Sequence, residues 1–477
     1  MNVLFVCTGN ICRSPLAEVY LKRLLQEGGP PNVQVTSAGI IALPENLPPQ
    51  EAMETSAQMG LNLKSHRARP LTPKMAREAD HILVMAPEHA EFISFHYPEA
   101  AEKVEFLARY GMGRTDDTVP DPLGATSFHY RSTYAFIAQA VQDFYRQKIS
   151  RSPTAHDRPG SRSRPARGGK RVSVLVPASA GNLGPGFDTL GLALELHNRV
   201  TLEEADADEI QVSGEGEGRL PLDATNIVLQ AVETVFQSAG MKRPPLRLRL
   251  ENAIPLTRGL GSSAAARVGG LLAGRLWCGL SHDLGALLRA AEALEGHADN
   301  AAPSLLGGLT VVAGTGDTLS FARAPISEKI QVSLAVPDFE VATSEARKAL
   351  PKEVPHSHAV FNVQRTALLM AALADGDGHL LSLAMEDRLH QPHRAHLMGP
   401  IHDAFTAARD AAAAGAALSG AGPSVIALSI SGHADPAEVA EAMAAAYREK
   451  GIGCKPWVLG IDPLGARPES REAQDRP

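Results

Sequence analysis

The sequence predicts a multidomain chain: an N-terminal α/β domain built on a parallel four-stranded sheet, then a basic linker, then a C-terminal α+β region of two lobes. Three observations carry this. Over residues 1–148 short apolar runs alternate with stretches of helical period. Residues 149–170 are dense in Pro, Gly, Ser and Arg and have no apolar period. Beyond them strands and helices follow one another irregularly, the pattern of α+β packing. A chain of 477 residues also exceeds what one hydrophobic core fills.

In order, Val3–Cys7 is a strand of the fully buried type, and Pro15–Glu27 is helical in period. Val33–Ser37, His81–Met85 and Val104–Leu107 are further short strands set between helical stretches, and Tyr130–Lys148 is a closing helix. Strand alternating with helix implies a parallel sheet covered on both faces. The 149–170 run is expected to be a disordered, solvated tether. After it come strands at Val172–Val176, Glu195–Leu202, Leu246–Glu251, Leu309–Val312, Val332–Val336 and Val425–Ser429. Helices are expected at Ala264–Trp277, Leu284–Glu295, Val360–Asp375 and Ile401–Ala414. The lobes are placed at 171–325 and 326–462, with a disordered tail at 463–477.

Composition excludes several function classes. No stretch is long and apolar enough to span a bilayer, and the N-terminus has no basic region with a cleavage signature, so a cytoplasmic location without membrane partners is expected. The four cysteines, Cys7, Cys12, Cys278 and Cys454, form a reduced-thiol pattern rather than a disulfide framework. A net charge of −7 argues against nucleic acid as a partner. A homodimer is compatible with the sequence.

Cys7-Thr8-Gly9-Asn10-Ile11-Cys12-Arg13-Ser14 reads as a phosphate loop that contains its own nucleophile. A thiolate attacks phosphorus only when the phosphoryl oxygens are held. Five residues between Cys7 and Arg13 let the backbone wrap once around an anion with its amides inward, and Arg13 adds a bidentate grip. The loop runs from strand into helix, so the helix N-terminus favours negative charge there. Asn10 suits a left-handed backbone position, and Ser14 can donate to the Cys7 sulfur. Asp121, in the Val119-Pro120-Asp121-Pro122-Leu123-Gly124 loop, is the candidate acid for the departing group.

With Thr36-Ser37-Ala38-Gly39, these features resemble the low-molecular-weight protein tyrosine phosphatases across residues 1–148. The resemblance implies Cys7 as nucleophile, Arg13 as phosphate ligand, Asp121 as general acid and Ser37 as a brace for Asn10. It is closest to the bacterial branch that includes protein-arginine phosphatases, through Asp121-Pro122-Leu123-Gly124 and a later Tyr130. Ile11 departs from the threonine of arginine-specific members and offers only apolar contact, which favours a phosphoaryl group. The phosphoprotein substrate thus carries phosphotyrosine or phosphoarginine. A thioredoxin-linked arsenate reductase is excluded, because no cysteine lies between Cys12 and Cys278.

Three Gly/Ser-rich segments mark the C-terminal region. Val176–Asp188 follows a strand, Pro255–Ala265 opens onto a helix, and Leu418–Ser424 lies between helix and strand. Glycines before a helix let amides approach a triphosphate, and a serine at the helix start can ligate Mg2+. This is not the loop that ends in Gly-Lys-Ser/Thr, since no lysine follows the glycines. Gly214-Glu215-Gly216-Glu217-Gly218 is read as a turn.

Together the segments resemble the galactokinase, homoserine kinase, mevalonate kinase and phosphomevalonate kinase (GHMP) superfamily over residues 171–462. The Glu295–Gly308, Thr343–Arg347 and Asp387–Arg394 runs resemble homoserine kinase specifically. The resemblance implies a two-lobed GHMP fold, with ATP bound in the first lobe by Pro255, Gly259, Leu260, Gly261, Ser262, Ser263 and Ala264 and by Asn226 at the adenine. For L-homoserine, Arg347 and Arg394 would clamp the carboxylate, and Asp188, with Asn182 nearby in the site, would receive the ammonium. Asn300 or Asp299 would take the hydroxyl, with His297, Gly420 and Gly422 lining the site. Ser263 and Glu295 would hold Mg2+, with Glu292 one turn earlier as the alternative. The expected function is ATP-dependent synthesis of O-phospho-L-homoserine, fused to a cysteine-dependent phosphatase. The alternatives are a kinase with a catalytically idle phosphate-sensing appendage, and a GHMP kinase for another small alcohol.

Overall fold

Both faces of β1 (Asn2–Cys7) are buried, which is why its apolar run is unbroken. Val3, Phe5 and Cys7 point into one core, and Leu4 and Val6 into another. The computed structural model describes residues 1–26, 29–110, 117–124, 127–149, 170–280 and 283–469, in two compact units on either side of 150–169. The first unit continues with α1 (Arg13–Gln26), β2 (Gln34–Gly39), α2 (Gln50–Gln58), α3 (Pro73–Glu78), β3 (His81–Val84), α4 (Pro87–His96), β4 (Val104–Phe106) and α5 (Ser127–Phe144). All strand pairs are parallel, in the order β2-β1-β3-β4. Residues of α1 and α5 share the core of Phe5, while those of α3 and α4 share the core of Leu4. The expected sheet, covered on both faces, is what forms.

The second unit opens with β5 (Arg171–Gly181), β6 (Leu190–Glu204), β7 (Glu209–Gly214), α6 (Ile227–Ser238), β8 (Leu246–Asn252), α7 (Ser262–Trp277), α8 (Leu284–Glu295), α9 (Ala301–Leu306), β9 (Leu309–Ala313) and β10 (Ser320–Ala324). It continues with β11 (Ile330–Pro337), α10 (Thr343–Lys348), α11 (His356–Asp375), α12 (Gly378–Ala384), α13 (Gln391–Arg394), α14 (Ile401–Asp410), β12 (Gly415–Leu418), β13 (Val425–Ile430), α15 (Pro436–Arg448), β14 (Cys454–Leu459) and β15 (Arg467–Pro468). One sheet runs β10-β9-β6-β5-β15, with β8 joined to β6 and β7 to β8. The other is antiparallel throughout, in the order β12-β13-β11-β14. These are the two α+β lobes the sequence predicts.

Two expectations are revised. The strand expected from Glu195 begins at Leu190, because the all-buried Leu190–Leu194 segment pairs with both β5 and β9. Residues 463–469 are ordered rather than tail: Arg467 and Pro468 pair with Leu175 and Val174 in the first lobe. Asp462 anchors this return, ion-paired to His197 at 2.5 Å and Arg467 at 2.9 Å while accepting from the amides of Leu464 and Gly465. The linker expectation, apart from Ile149 and Lys170, and the tail beyond 469 lie outside the described residues. The Gly214–Gly218 segment is the expected turn, at the end of β7. Among the described residues no helix is long and apolar enough to cross a membrane.

Candidate functional sites

In the first unit the loop between β1 and α1 closes on Cys7. The Cys7 sulfur lies 3.0 Å from Ser14 Oγ and accepts from the Asn10 amide at 3.3 Å. Asn10 has φ 53°, the left-handed conformation its residue type tolerates. Its side chain donates to Ser14 Oγ at 2.9 Å and to Ser37 Oγ at 2.8 Å, so Ser37 is the brace that was expected. Arg13, 4% exposed, donates to Val119 O at 3.1 Å and to Thr8 Oγ1 at 3.3 Å, and is ion-paired with Asp121. Cys7, Arg13 and Asp121 therefore meet at one place. Burial, reinforced by Asp121 and Cys7, pushes the Cys12 thiol up to about 12, so Cys12 stays a neutral thiol beside the Tyr130 hydroxyl.

Several supports of this loop were missed. Ser37 donates to Glu18 at 2.5 Å, His66 Nε2 lies 2.9 Å from Asn10 O, and the Arg69 amide donates to Asn10 Oδ1 at 3.0 Å. His89 is fully buried, with Nε2 3.0 Å from Thr8 Oγ1. Burial, then the Arg13 charge, hold His89 down to about 4, so it is neutral. Gly39 must be glycine, since a Cβ there would lie 2.6 Å from Thr8 O and 2.9 Å from Asn10 N.

In the second unit the three glycine segments interlock. The Ser179 amide donates to Leu260 O at 3.1 Å, the Gly420 amide to Gly181 O at 3.0 Å, and Ser419 Oγ to Gly259 O at 2.8 Å. Gly259 (φ 73°) and Gly261 (φ 69°) are left-handed, and a Cβ on either would strike Ser419 O or Ser179 Oγ. Gly261 caps α7, so Ser262 and Ser263 open the helix where its amides face outward.

A single cleft is lined by Asp188, Gly259–Ser263, Glu295, His297, Asp299, Asn300, Arg347, Arg394 and Gly420. Ser263 Oγ donates to Glu295 at 2.9 Å, and Arg267 is bonded to both. Ser263, at the start of α7, and Glu295, at the end of α8, are hard oxygen donors of the kind Mg2+ takes. Glu292 points elsewhere, accepting from the Gly316 amide at 3.3 Å. Asp299, 3% exposed, is 2.7 Å from His297 Nδ1. Asn300 accepts from Ser179 Oγ at 3.1 Å. Arg394 is almost fully buried and donates to Ala346 O at 3.1 Å; burial, then neighbouring Arg347, bring it down to about 10. Both arginines lie over the Phe187 ring, at 5.8 and 5.2 Å from its centre, and Phe187 stacks on His390.

Two residues also make structural contacts that the sequence did not suggest. Asn226, 2% exposed, caps α6: its Oδ1 accepts from Val228 and Leu229, and its Nδ2 donates to Pro221 O. Asn182 spends its amide on Gly420 O at 2.8 Å and the Asp188 amide at 2.9 Å. It shapes the turn that presents Asp188 and lines the cleft. Pro255 and Gly422 are outside the residues that line the cleft. Phe187, Thr343 and Arg267 were not foreseen.

Residues 2–154 match the family model described as low molecular weight phosphotyrosine protein phosphatase. Residues 226–308 and 369–449 match those of the GHMP kinase N-terminal and C-terminal domains. Homoserine kinase of Moorella thermoacetica is 43% identical over 281 residues, 59% of this chain and 94% of the relative. The crystal structure of homoserine kinase from Cytophaga hutchinsonii is 31% identical with a TM-score of 0.58, covering 65% of this chain and all of its own. For the first unit, YwlE arginine phosphatase from Geobacillus stearothermophilus is 30% identical, covering 30% of this chain and 90% of its own, with a TM-score of 0.28.

Proposed function

We propose, for a chain that belongs to the homoserine kinase family and carries a low-molecular-weight phosphatase domain ahead of it, a bifunctional phosphoryl-transfer enzyme. The kinase unit would move the γ-phosphoryl group of ATP to the hydroxyl of L-homoserine. The observation that carries this is the convergence, in one cleft, of the Gly259–Ser263 helix start with Asp188, Asp299, Arg347 and Arg394.

Phosphoryl transfer depends mostly on positioning and charge neutralisation. The Gly259–Ser263 backbone and the α7 N-terminus would hold the phosphates. Ser263 and Glu295 would hold Mg2+, which when bound supplies charge neutralisation there. Arg347 and Arg394 would bind the substrate carboxylate and Asp188 its ammonium. Asn300 and Asp299 would orient the hydroxyl toward phosphorus. The test is ATP consumption and phosphohomoserine formation by the full chain with L-homoserine, against mevalonate and other small alcohols. Turnover of another alcohol in preference would replace this substrate.

The first unit would hydrolyse phosphoprotein. Cys7 attacks phosphorus while the bond to the leaving group breaks, and Asp121 gives that group its proton. Water then cleaves the phosphocysteine, with Asp121 taking a proton back. Meeting of Cys7, Ser14, Arg13 and Asp121 supports turnover over an idle sensing role. Phosphate release from matched phosphotyrosine and phosphoarginine peptides, with Cys7→Ser as control, would choose the substrate.

A further inference from the structure

A second cavity, of about 350 Å3, opens in the C-terminal lobe between α11, the end of α12, and α14. Its walls are apolar where Phe361, Met385, Ile401 and Phe405 meet, and its polar rim carries Arg388, Arg409 and His402. The volume is within the range of small-molecule sites.

The charges of this rim are unbalanced. Its two acids are already satisfied. Glu386 is ion-paired with Arg365 at 3.0 Å. Asp387 accepts from Asn362 Nδ2 at 2.7 Å and from the amides of Leu389, His390 and Gln391. The two arginines are not. Among the described residues neither Arg388 nor Arg409 has a carboxylate at ion-pair distance. Arg388 lies over Phe361, 4.0 Å from the ring centre, and Arg409 donates to Thr406 at 3.2 Å. Two unneutralised guanidinium groups above an apolar floor select an anion with an apolar body.

The wall is also mechanically joined to the kinase cleft. Asp387 fixes the turn that holds His390, whose Nε2 is 2.7 Å from Gly184 O and whose Nδ1 is 3.2 Å from the Arg394 guanidinium. Gln391 accepts from the Leu418 amide at 2.8 Å, one residue before Ser419, which bonds Gly259 O. A molecule pressing on residues 387–391 thus touches supports of both the substrate arginine and the phosphate loop.

We propose that this cavity binds a small organic acid with an apolar body, and that its occupancy changes the homoserine KM of the kinase. The coupling rests on the kinase reading; the binding does not. The probe is anilinonaphthalene sulfonate, an anionic aromatic fluorophore, titrated into the full chain with and without saturating ATP and homoserine. The comparison is R409E, whose position lies outside the catalytic cleft and outside the 387–391 segment. Expected are one saturable site, weakened about tenfold or more by the charge reversal. Homoserine KM should move with probe in the parent and not in the variant, while kcat and KM without probe stay the same in both. Undiminished binding to the variant, or competitive displacement of the probe by ATP or homoserine, overturns the site. Binding lost in the variant with no effect of probe on the parent's KM keeps the site and overturns the coupling. A chain inactive toward homoserine still answers the binding question, because fluorescence does not depend on turnover.

Discussion

Arg347 and Asp188 grip each other through two hydrogen bonds, of 2.7 and 3.1 Å, at the mouth of the kinase cleft. The pair is about a third exposed on each side, so it is open to exchange with solvent or ligand. A zwitterionic amino acid presents the complementary arrangement, a carboxylate for the guanidinium and an ammonium for the carboxylate. On the proposed assignment, substrate entry would be an exchange of partners rather than the filling of two waiting sites.

From this exchange follows the expected behaviour of Arg347→Ala. Homoserine KM should rise by roughly 30-fold, about 2 kcal/mol, with a smaller change in kcat. Arg347→Lys should recover little of it, because an ammonium cannot make the bidentate contact. Steady-state kinetics at saturating ATP read both, and an unchanged KM in Arg347→Ala would remove the carboxylate assignment.

The two glutamates of α8 separate in the same kind of measurement. Glu295 bonds Ser263, whereas Glu292 faces the Gly316 amide. Glu295→Gln should raise the Mg2+ concentration needed for half-maximal kinase rate by about tenfold or more. Glu292→Gln should leave it in place. A Mg2+ titration of the two variants that gave the reverse order would transfer the ligand role to Glu292.

Asn226 should behave as a helix cap. Asn226→Ala is expected to lower the stability of the kinase unit by about 1 kcal/mol and to leave the KM for ATP where it was. Urea unfolding followed by tryptophan fluorescence reports this unit, since Trp277 and Trp457 both belong to it. A raised KM for ATP with stability intact would restore the nucleotide role.

His89 gives the phosphatase unit an acid sensitivity. Burial holds its folded-state value down to about 4, below the ordinary 6.5, so the unfolded chain takes up the proton first on acidification. Its contribution to stability is complete above about pH 6.5 and is lost as the pH falls toward 4, by up to roughly 3 kcal/mol. His89→Gln should flatten this part of the slope. The urea midpoint for loss of phosphatase activity, measured from pH 7 down to pH 4.5, shows it; parallel curves for parent and variant would assign the acid sensitivity to other groups.

What the sequence made readable were contiguous features. Cys7 to Ser14, the alternation that builds the first sheet and the glycine-rich helix start at Gly259 all lie within one stretch of chain, where spacing carries the chemistry. Arg267 was not readable, because its partner Glu295 is on another helix and nothing in either segment marks the pair. The same holds for His66 and His89, which meet the phosphatase loop from 56 and 81 residues away. The structural contacts of Asn226 and Asn182 were not readable for a different reason. An asparagine beside a helix start or a glycine turn serves backbone amides as well as it serves a ligand. Only the hydrogen-bond partners decide. Glu292 and Glu295 could not be separated by helical period, since residues three apart share a face and the deciding neighbours come from other elements.

The return of β15 alongside β5 brings the two ends of the kinase unit together, with the Glu469 amide donating to Ser173 O at 3.0 Å. The order in which this unit is threaded is thus separable from its architecture. A circular permutant that joins residue 469 to residue 171 by a short flexible bridge, and opens new ends in the exposed turn at Glu217-Gly218, would keep every strand pairing. The same cleft could then be made from a chain that begins in the middle.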